Sequence, residues 1–292
     1  MQGCMRYYLR DGTLLVRGSF RAVSTGPGGG FGTARTLLNH TVPPDWDEPD
    51  PMRELATSIA QEGLPDDFFG LLTAVPMKHL CVLQYDFITA FISAGIGSRT
   101  INIIITSTEG MTDAALAGAI ITATEAKAEA LRELSRPVAG TPTDAVIVAS
   151  EGDPVHPYAG PLTEAGKRIR AAVLAGVPEA LHRFEGVVTR DAPSYFIFSR
   201  YGGDHWVEWI PRDCPYYPCH FAGQRCDFCY CPFYPCGDLS LGQWVGSSSR
   251  NGSVWNCAGC TLLHEPGIAD YLARNPDAPL RELKERRKRG TS

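Results

Sequence analysis

The residues with the clearest chemical signature are eight cysteines that lie within residues 214–260 of the 292-residue chain. They occur as four closely spaced pairs: Cys214-x4-Cys219, Cys226-x2-Cys229, Cys231-x4-Cys236 and Cys257-x2-Cys260. A Cys-x2-Cys spacing places two thiolates on one tight turn, which is the arrangement that a tetrahedral metal ion needs. Eight thiolates are enough for two zinc ions, and His220 or His264 could replace a cysteine in a mixed site. The spacing does not show which pairs combine.

The surroundings of these cysteines favour structural zinc over other uses of clustered thiols. The hexapeptide CPYYPC recurs as CPFYPC seventeen residues later, and each proline fixes φ and removes an N–H, which stiffens both bends. Four disulfides would require an oxidising compartment. An iron–sulfur cluster favours other spacings, and a redox Cys-x2-Cys motif belongs beside a βαβ pattern. We therefore expect a metal-binding module that depends on its metal to fold.

A second group of reactive side chains lies in AIITATEAKAEALRELSRPVAGTPTDAVIVAS, residues 119–150. Lys127 lies one helical turn before Leu131 in the apolar stripe of a predicted helix. Thr124 precedes Lys127 by one turn on the same side, whereas Glu125 points to a more polar face. Lys127 fits equally well as a stem packed on the core with its ammonium in water and as a functional amine.

The turn after this helix contains Thr141, Thr143 and Asp144 and leads into a strand that reads as buried. A carboxylate at the start of a strand serves either as a general base or as a cap for the turn. Taken alone, the pattern favours the cap.

Two features nearer the start of the chain also have polar groups that could contact a ligand. Gly28, Gly29 and Gly30 belong to the loop GPGGGFG, where main-chain N–H groups can approach a ligand closely. The loop matches neither the dinucleotide nor the phosphate-loop pattern, so it predicts neither NAD nor ATP. Asn39 stands in LLNHTVP beside an apolar pair, and an isolated Asn most often closes a turn.

The elements that must position these groups alternate between strands and helices. TLLVRGSFRAVS predicts one or two short strands, and TINIIITS and DAVIVAS predict buried strands. Helices are predicted after Asp50, Thr112 and Thr163, each of which is a suitable N-cap. This order predicts an α/β fold, a layered sandwich of a mixed sheet and helices, followed by a small C-terminal cysteine-rich domain. We expect the domains to span residues 1–195 and 196–292, although SYFIFSRYGGDHWVEWI could belong to either.

The overall composition is that of an ordinary globular protein. Hydrophobic residues make up 44% and charged residues 20% of the chain. The net charge of -5 gives no global attraction for nucleic acid or an anionic membrane, and the basic run RELKERRKRG reads as a solvated helix end. No run is apolar enough to suggest a signal peptide or a membrane span. We therefore expect a cytoplasmic protein without a membrane partner, and binding to nucleic acid is a minority interpretation; the oligomeric state is not predicted.

Several motifs together resemble the adenosylcobinamide amidohydrolase family of corrinoid salvage. The motifs are, in chain order, GPGGGF, LLNHTVP, GLLTAV, FISAGI, TINIIIT, LAGAIITATEAKAEAL, GTPTDAVIVAS and YAGPLTEAGKRI. They cover residues 18–175, and ATEAKAEAL followed by GTPTDAVIVA is the most specific part. Two positions depart from the family pattern: Arg99 stands where glycine is usual, and Ala139 stands where threonine is frequent. The C-terminal region is similar to the small cysteine-rich domain that is sometimes joined to this unit, which implies metal binding.

The resemblance implies hydrolysis of the amide that joins aminopropanol to the corrin ring of adenosylcobinamide, which yields adenosylcobyric acid. Amide hydrolysis needs an activated nucleophile, charge stabilisation at the carbonyl oxygen and a proton for the leaving amine. Lys127 would supply the cation or that proton. Asp144 or Glu125 would act as base toward water, or toward Thr143 in a covalent route. The residues implied to contact the substrate are Gly28, Gly29, Gly30, Asn39, Asn102, Thr124 and Thr141.

One alternative keeps the fold but removes the catalysis. The first domain would then only hold a corrinoid, and the zinc module would dock onto nucleic acid or a partner protein. Turnover of adenosylcobinamide distinguishes an enzyme from such a binding protein.

Overall fold

The computed structural model describes residues 5–97, 100–199, 203–210, 214, 217–229, 231–246, 253–275 and 277–290. Contacts divide the chain into two compact units. The larger unit spans Tyr7–Trp209, and the smaller contains the described residues from Ile210 onward together with Met5 and Arg6. Among the described residues, no helix has both the length and the apolar character needed to cross a membrane.

The described strands of the larger unit are, in chain order, β1 (Arg6–Arg10), β2 (Thr13–Ser24), β3 (Gly30–Thr41), β4 (Phe68–Thr73), β5 (Cys81–Tyr85), β6 (Ile88–Gly95), β7 (Thr100–Ser107), β8 (Gly110–Met111), β9 (Ala145–Ser150), β10 (Pro154–His156), β11 (Ser194–Ser199) and β12 (His205–Trp209). Ten of them form one sheet in the order β12-β11-β5-β6-β7-β9-β2-β3-β4, with β1 paired to β2. The β7 and β9 strands are parallel, whereas β2 runs antiparallel to β9. The sheet is therefore mixed, as the sequence predicts.

The helices of the larger unit begin at the predicted caps. They are α1 (Pro51–Gln61), α2 (Asp113–Glu133) and α3 (Glu164–Phe184). The side chains of Asp50, Thr112 and Thr163 each accept a hydrogen bond from a backbone N–H in the first turn, which satisfies a donor that the helix cannot satisfy itself.

The sheet folds over itself, so the larger unit has four layers. On one side, Ile101, Ile103 and Ile105 of β7 pack in the core that α2 and α3 cover. The opposite face of β7 packs against β4. The hydrogen bond that Asn102 Nδ2 donates to the Leu72 carbonyl over 2.8 Å connects the two strands. Outside β3, Leu38 packs with Leu55 of α1. The order is α1, the β3–β4 part of the sheet, the β6–β7–β9 part, and the α2–α3 layer, which confirms the predicted layered α/β sandwich.

The long strands β2 and β3 connect the two sheet layers. Each has twelve residues, and their pairing is interrupted between Arg17 and Phe20. Such an irregularity bends a strand and increases its twist, which allows one strand to belong to two layers. The segment that reads as one or two short strands is therefore a single bent strand.

The larger unit extends beyond residue 195. The segment that could belong to either domain forms β11 and β12, and β11 pairs in parallel with β5 of the large sheet. The division of the structure consequently falls after Trp209.

The smaller unit is built around its own apolar cluster. Its described elements are β13 (Gln243–Gly246), β14 (Ser253–Asn256), α4 (Pro266–Arg274) and α5 (Leu280–Gly290). Leu262, Leu272 and Leu283 are buried in this cluster. The basic run lies on α5, where Lys284 pairs with Asp238 and Arg287 pairs with Glu265. These carboxylates offset part of the positive charge that nucleic acid would need.

Candidate active site

Lys127 and Asp144 form a buried ion pair in the larger unit. Lys127 is 7% exposed and its Nζ contacts Asp144 Oδ2. The same oxygen accepts the Thr141 N–H over 3.0 Å, and Oδ1 accepts the Ile101 N–H over 2.9 Å as well as the Thr141 hydroxyl. Asp144 therefore caps its turn and also holds the amine of α2. The ammonium of Lys127 is therefore paired with a carboxylate rather than directed into water, and Asp144 caps its turn, as the pattern favours; a catalytic role for either residue stays a prediction.

Gly140 lies directly against this pair. A Cβ at Gly140 would be 2.5 Å from Asp144 Oδ2 and 2.7 Å from Lys127 Nζ. Contacts this short do not occur for real Cβ atoms, so the absence of a side chain allows the turn to close over the two charges.

Replacing Gly140 with alanine should push the amine and the carboxylate apart and lower the turnover of the amide hydrolysis that the family resemblance implies. A displacement of about 1 Å at a catalytic group can cost about a hundredfold in rate. The measurement is product formation under saturating substrate. Gly160→Ala is the matched control, because a Cβ there meets nothing within 4 Å. Equal turnover in both variants would contradict the tight closure over the pair.

The glycine-rich loop begins at the same end of the sheet. Thr25 follows β2, and its N–H donates to the Val146 carbonyl over 3.0 Å, while its hydroxyl accepts the Val146 N–H over 2.9 Å. Val146 follows Asp144 by two residues, so the loop and the acidic turn are neighbours. Gly28 and Gly30 have φ values of 62° and 108°, which favour glycine.

The individual glycines differ in what they can offer to a ligand. The Gly29 N–H donates to the Gly26 carbonyl over 3.0 Å, so this amide stabilises the loop itself. All of Gly28, Gly29 and Gly30 are exposed. Their role as donors to a substrate stays a prediction.

The remaining candidate residues, Thr124, Glu125 and Thr143, are exposed. Thr143 is exposed, and its Oγ1 lies 3.1 Å from Thr100 Oγ1. Thr124 and Glu125 are exposed on α2 while Lys127 is buried. The three-residue step from Thr124 to Lys127 corresponds to about 300° of helical rotation, which offsets the two side chains. The structure thus brings Lys127, Thr141 and Asp144 together, with Thr143 adjacent in the chain.

The two asparagines lie elsewhere in the unit, between the two sheet layers. Asn39 and Asn102 are 2% and 1% exposed. Asn102 Nδ2 donates to Asn39 Oδ1 over 2.9 Å, and Asn39 Nδ2 donates to Ser93 Oγ over 2.8 Å. Within the described part of the chain, Asn102 Oδ1 is buried and has no hydrogen-bond partner. Asn102 is the neighbour of Ile101, which binds Asp144, but its side chain points to the opposite face of β7.

The cysteines of the smaller unit divide into two groups of four. Burial raises the pKa of the Cys229 thiol, and the thiols of Cys219, Cys226 and Cys214 raise it further. We call these four residues the first thiol set. Electrostatic interaction of this kind requires proximity, and Gln224 Nε2 also contacts both Cys219 Sγ and Cys226 Sγ.

The second thiol set contains Cys231, Cys236, Cys257 and Cys260. Burial raises the pKa of the Cys231 thiol to about 12, with further contributions from the other three thiols. All eight cysteines are free thiols. Among the residues that the structure describes, no group of three or more His, Cys, Asp or Glu side chains has the geometry of a complete metal centre.

Comparison with known proteins matches two separate parts of the chain to two families. Residues 8–188 match the adenosylcobinamide amidohydrolase family. The chain belongs to this family. It is accordingly an amidohydrolase, as the motifs predict. Residues 205–287 match a family described as a cysteine-rich small domain.

The similar proteins differ in how much of the chain they cover. The adenosylcobinamide amidohydrolase of Methanosarcina mazei is 42% identical over 195 residues, which is 61% of this chain and 98% of that protein. The adenosylcobinamide amidohydrolase of Halobacterium salinarum is 32% identical over 212 residues, 64% of this chain and 88% of that protein. A probable cobalt-factor III C(17)-methyltransferase of Methanothermobacter thermautotrophicus is 45% identical over 65 residues, 22% of this chain and 17% of that protein.

Three residues that make structural contacts in the two units are not identified from the sequence alone. Gly140, Ser93 and Gln224 make the contacts described above, yet each is a common residue without a distinctive spacing. Of the two departures from the family pattern, Ala139 is exposed beside Gly140, and Arg99 lies outside the described residues.

Proposed function

We propose that this chain hydrolyses the amide between aminopropanol and the corrin ring of adenosylcobinamide, and that the reaction takes place at the end of the sheet that holds Lys127 and Asp144. Family membership supports the reaction. The buried ion pair beside the glycine-rich loop is the observation that supports the location. A charged pair removed from water is costly to maintain, and such costs are common at functional sites.

In this proposal Lys127 is the cation that faces the carbonyl oxygen of the scissile amide. Attack on the carbonyl carbon moves an electron pair onto this oxygen, and a fixed positive charge stabilises the anion that develops. Asp144 orients the amine, because both of its oxygens already accept hydrogen bonds and its turn is fixed by Thr141 and Ile101. Asp144 is consequently a positioning residue rather than a free base.

The nucleophile is a water molecule or the Thr143 hydroxyl. Thr143 is exposed and adjacent to Asp144. Glu125 is an exposed carboxylate of α2 and would accept the proton of the nucleophile. The C–N bond then breaks, and the nitrogen leaves as the amine of aminopropanol after it receives a proton. Attack by water leaves the carboxylate on the corrin ring directly, whereas attack by Thr143 leaves an ester that a water molecule then hydrolyses. The product of both routes is adenosylcobyric acid.

Substrate contacts are proposed for the polar groups around this end of the sheet. Gly28, Gly29 and Gly30 are exposed, as is Thr124, and the Thr141 side chain helps to hold Asp144. Asn39 and Asn102 are enclosed between the layers, so a direct contact with substrate would require the layers to separate there. Their mutual hydrogen bonds support a positioning role for the strands that carry them.

The proposal is tested by incubating the purified full-length chain with adenosylcobinamide. We expect adenosylcobyric acid and aminopropanol to appear in equal amounts, as measured by chromatography and mass spectrometry. Retention of unchanged corrinoid would instead favour the non-catalytic binding protein.

We also propose that the two thiol sets bind two structural zinc ions. Each set contains one Cys-x2-Cys turn that is closed by a backbone hydrogen bond, from Cys229 N to Cys226 O over 3.2 Å and from Cys260 N to Cys257 O over 2.9 Å. Four thiolates suit a closed tetrahedral site. The two hexapeptides also share a backbone hydrogen bond, since Tyr217 N and Tyr234 N donate to the carbonyls of Cys214 and Cys231 over 3.1 Å. The donor set therefore fits zinc, which would draw the sulfurs together as it binds.

Two zinc ions per chain are expected by elemental analysis of purified protein. Metal removal with a strong chelator should unfold the smaller unit, because binding energy is folding energy in such modules. The Trp244–Trp255 pair, whose ring centroids are 5.3 Å apart, provides a fluorescence and near-ultraviolet signal for this unit. Cys257→Ser should lose one ion. Cys81→Ala, a change in the larger unit, should keep both, and a metal-free wild type with an intact smaller unit would contradict the proposal.

A further inference from the structure

The Gln224 side chain lies between the backbone of His220 and Phe221 and the sulfurs of the first thiol set. It is 5% exposed. Its Nε2 lies 3.1 Å from Cys219 Sγ and 3.3 Å from Cys226 Sγ. The buried amide therefore directs both of its hydrogens toward two sulfurs of one set.

The oxygen of the same amide accepts two hydrogen bonds from the backbone. Gln224 Oε1 accepts the N–H of His220 over 2.8 Å and the N–H of Phe221 over 3.2 Å. These bonds fix the amide orientation, because the oxygen must face the backbone donors and the nitrogen must then face the sulfurs. The two backbone donors therefore determine which end of the amide faces the sulfurs. The N–H contacts to sulfur do not depend on an arbitrary assignment of the amide oxygen and nitrogen.

The second thiol set lies in different surroundings. Cys231, Cys236 and Cys260 pack against the apolar cluster of the smaller unit, which includes Phe233 and Leu262. The N–H of Phe233 interacts with the Cys231 sulfur, and a backbone N–H also interacts with the Cys257 sulfur. Among the described residues, the amide side chain of Gln224 contacts the first set, whereas the second set packs against hydrocarbon and interacts with backbone N–H groups.

We propose that Gln224 is a positioning residue for a metal ion held by Cys214, Cys219, Cys226 and Cys229, and that the two thiol sets form sites of unequal chemistry. The inference rests on the proposed metal binding. An N–H donor to a metal-bound thiolate withdraws charge from the sulfur and fixes its direction, and such outer contacts typically change metal affinity by about 10–100-fold. The first site should therefore depend on Gln224, and the second site should not.

Two variants separate a donor role from a role in loop shape. Gln224→Met removes both ends of the amide. Gln224→Glu keeps an oxygen that accepts from His220 and Phe221 but replaces the N–H donor with a second oxygen that faces the sulfurs. If Gln224 only shaped the loop, the glutamate variant would behave as wild type. Gln243→Met is the matched control, because Gln243 is exposed on β13 of the same unit.

The experiment uses the full chain loaded with zinc and, in parallel, with ¹¹³Cd. Release of zinc to a coloured chelator reports the rate for each ion, and ¹¹³Cd nuclear magnetic resonance reports each site separately. We expect both Gln224 variants to accelerate the release of one ion about 10–100-fold and to shift one of two ¹¹³Cd resonances. The second ion and its resonance should not change, and Gln243→Met should match wild type.

Three outcomes would overturn the inference. One is a glutamate variant that behaves as wild type, and the others are equal changes at both sites and no change at either site. A wild-type chain that binds no metal would instead remove the zinc proposal on which the inference rests. The stoichiometry of the wild type therefore distinguishes the two failures.

Discussion

Lys127→Met should reduce the turnover of adenosylcobinamide by about a hundredfold or more, while the larger unit stays folded. Methionine has a similar length and suits the apolar face of α2, but it carries no charge to stabilise the anion that develops on the carbonyl oxygen. The measurement is the rate of adenosylcobyric acid formation at saturating substrate, with circular dichroism as the check on folding.

The control for this prediction is another lysine. Lys167→Met changes an exposed residue of α3 and should leave turnover unaffected. If the Lys127 variant retained near-wild-type turnover with an intact fold, Lys127 would have no catalytic role. A loss confined to KM would assign Lys127 to substrate binding alone.

Asp144→Ala should destabilise the larger unit by about 3–5 kcal/mol, because it leaves the buried Lys127 amine without its counter-charge. The same variant should lose activity, since the amine is no longer held. The free energy of unfolding is measured by urea denaturation of the full chain, and the transition of the larger unit is compared among variants.

The double variant Lys127→Met/Asp144→Ala distinguishes the pair from its parts. Removal of both partners should cost less than the sum of the single changes, because no unpaired charge is left behind. Glu48→Ala provides a matched control, since it breaks the exposed Glu48–Arg53 pair and should change stability little. Additive effects in the double variant would indicate that Lys127 and Asp144 do not interact in solution.

Local features of the fold are predictable from the sequence because they depend on neighbouring residues. Asp50, Thr112 and Thr163 cap the helices that follow them, as the short-range pattern predicts. The apolar position of Lys127 is also predictable, since helical periodicity alone determines the face. The family motifs add the reaction, which periodicity cannot provide.

Contacts that depend on how the layers meet are not predictable in this way. Asn39, Ser93 and Asn102 are brought together only because β2 and β3 bend and return the sheet onto itself. The segment after residue 194 has no composition that distinguishes the two units, and its pairing with β5 is a long-range event. The division of the chain follows from that pairing.

The candidate site itself combines both kinds of information. Asp144 follows Lys127 by 17 residues, and their contact depends on the angle at which the chain leaves α2 and enters β9. Both residues are candidates in the sequence analysis, but their contact is not predictable from the sequence. Gly140 is recognised only when the turn is seen to close over the two charges. The grouping of the cysteines likewise depends on the fold, since Cys229 and Cys231 are two residues apart but belong to different sets.

The most direct test of the central claim is a structure of the Lys127→Met variant with adenosylcobinamide bound. We expect the scissile amide to lie beside the turn of residues 140–144 and the glycine-rich loop, with its carbonyl oxygen directed at the position that the Lys127 amine occupies in the wild type. Binding of the corrinoid on any other surface, with that amide remote from residue 127, would contradict the proposed site.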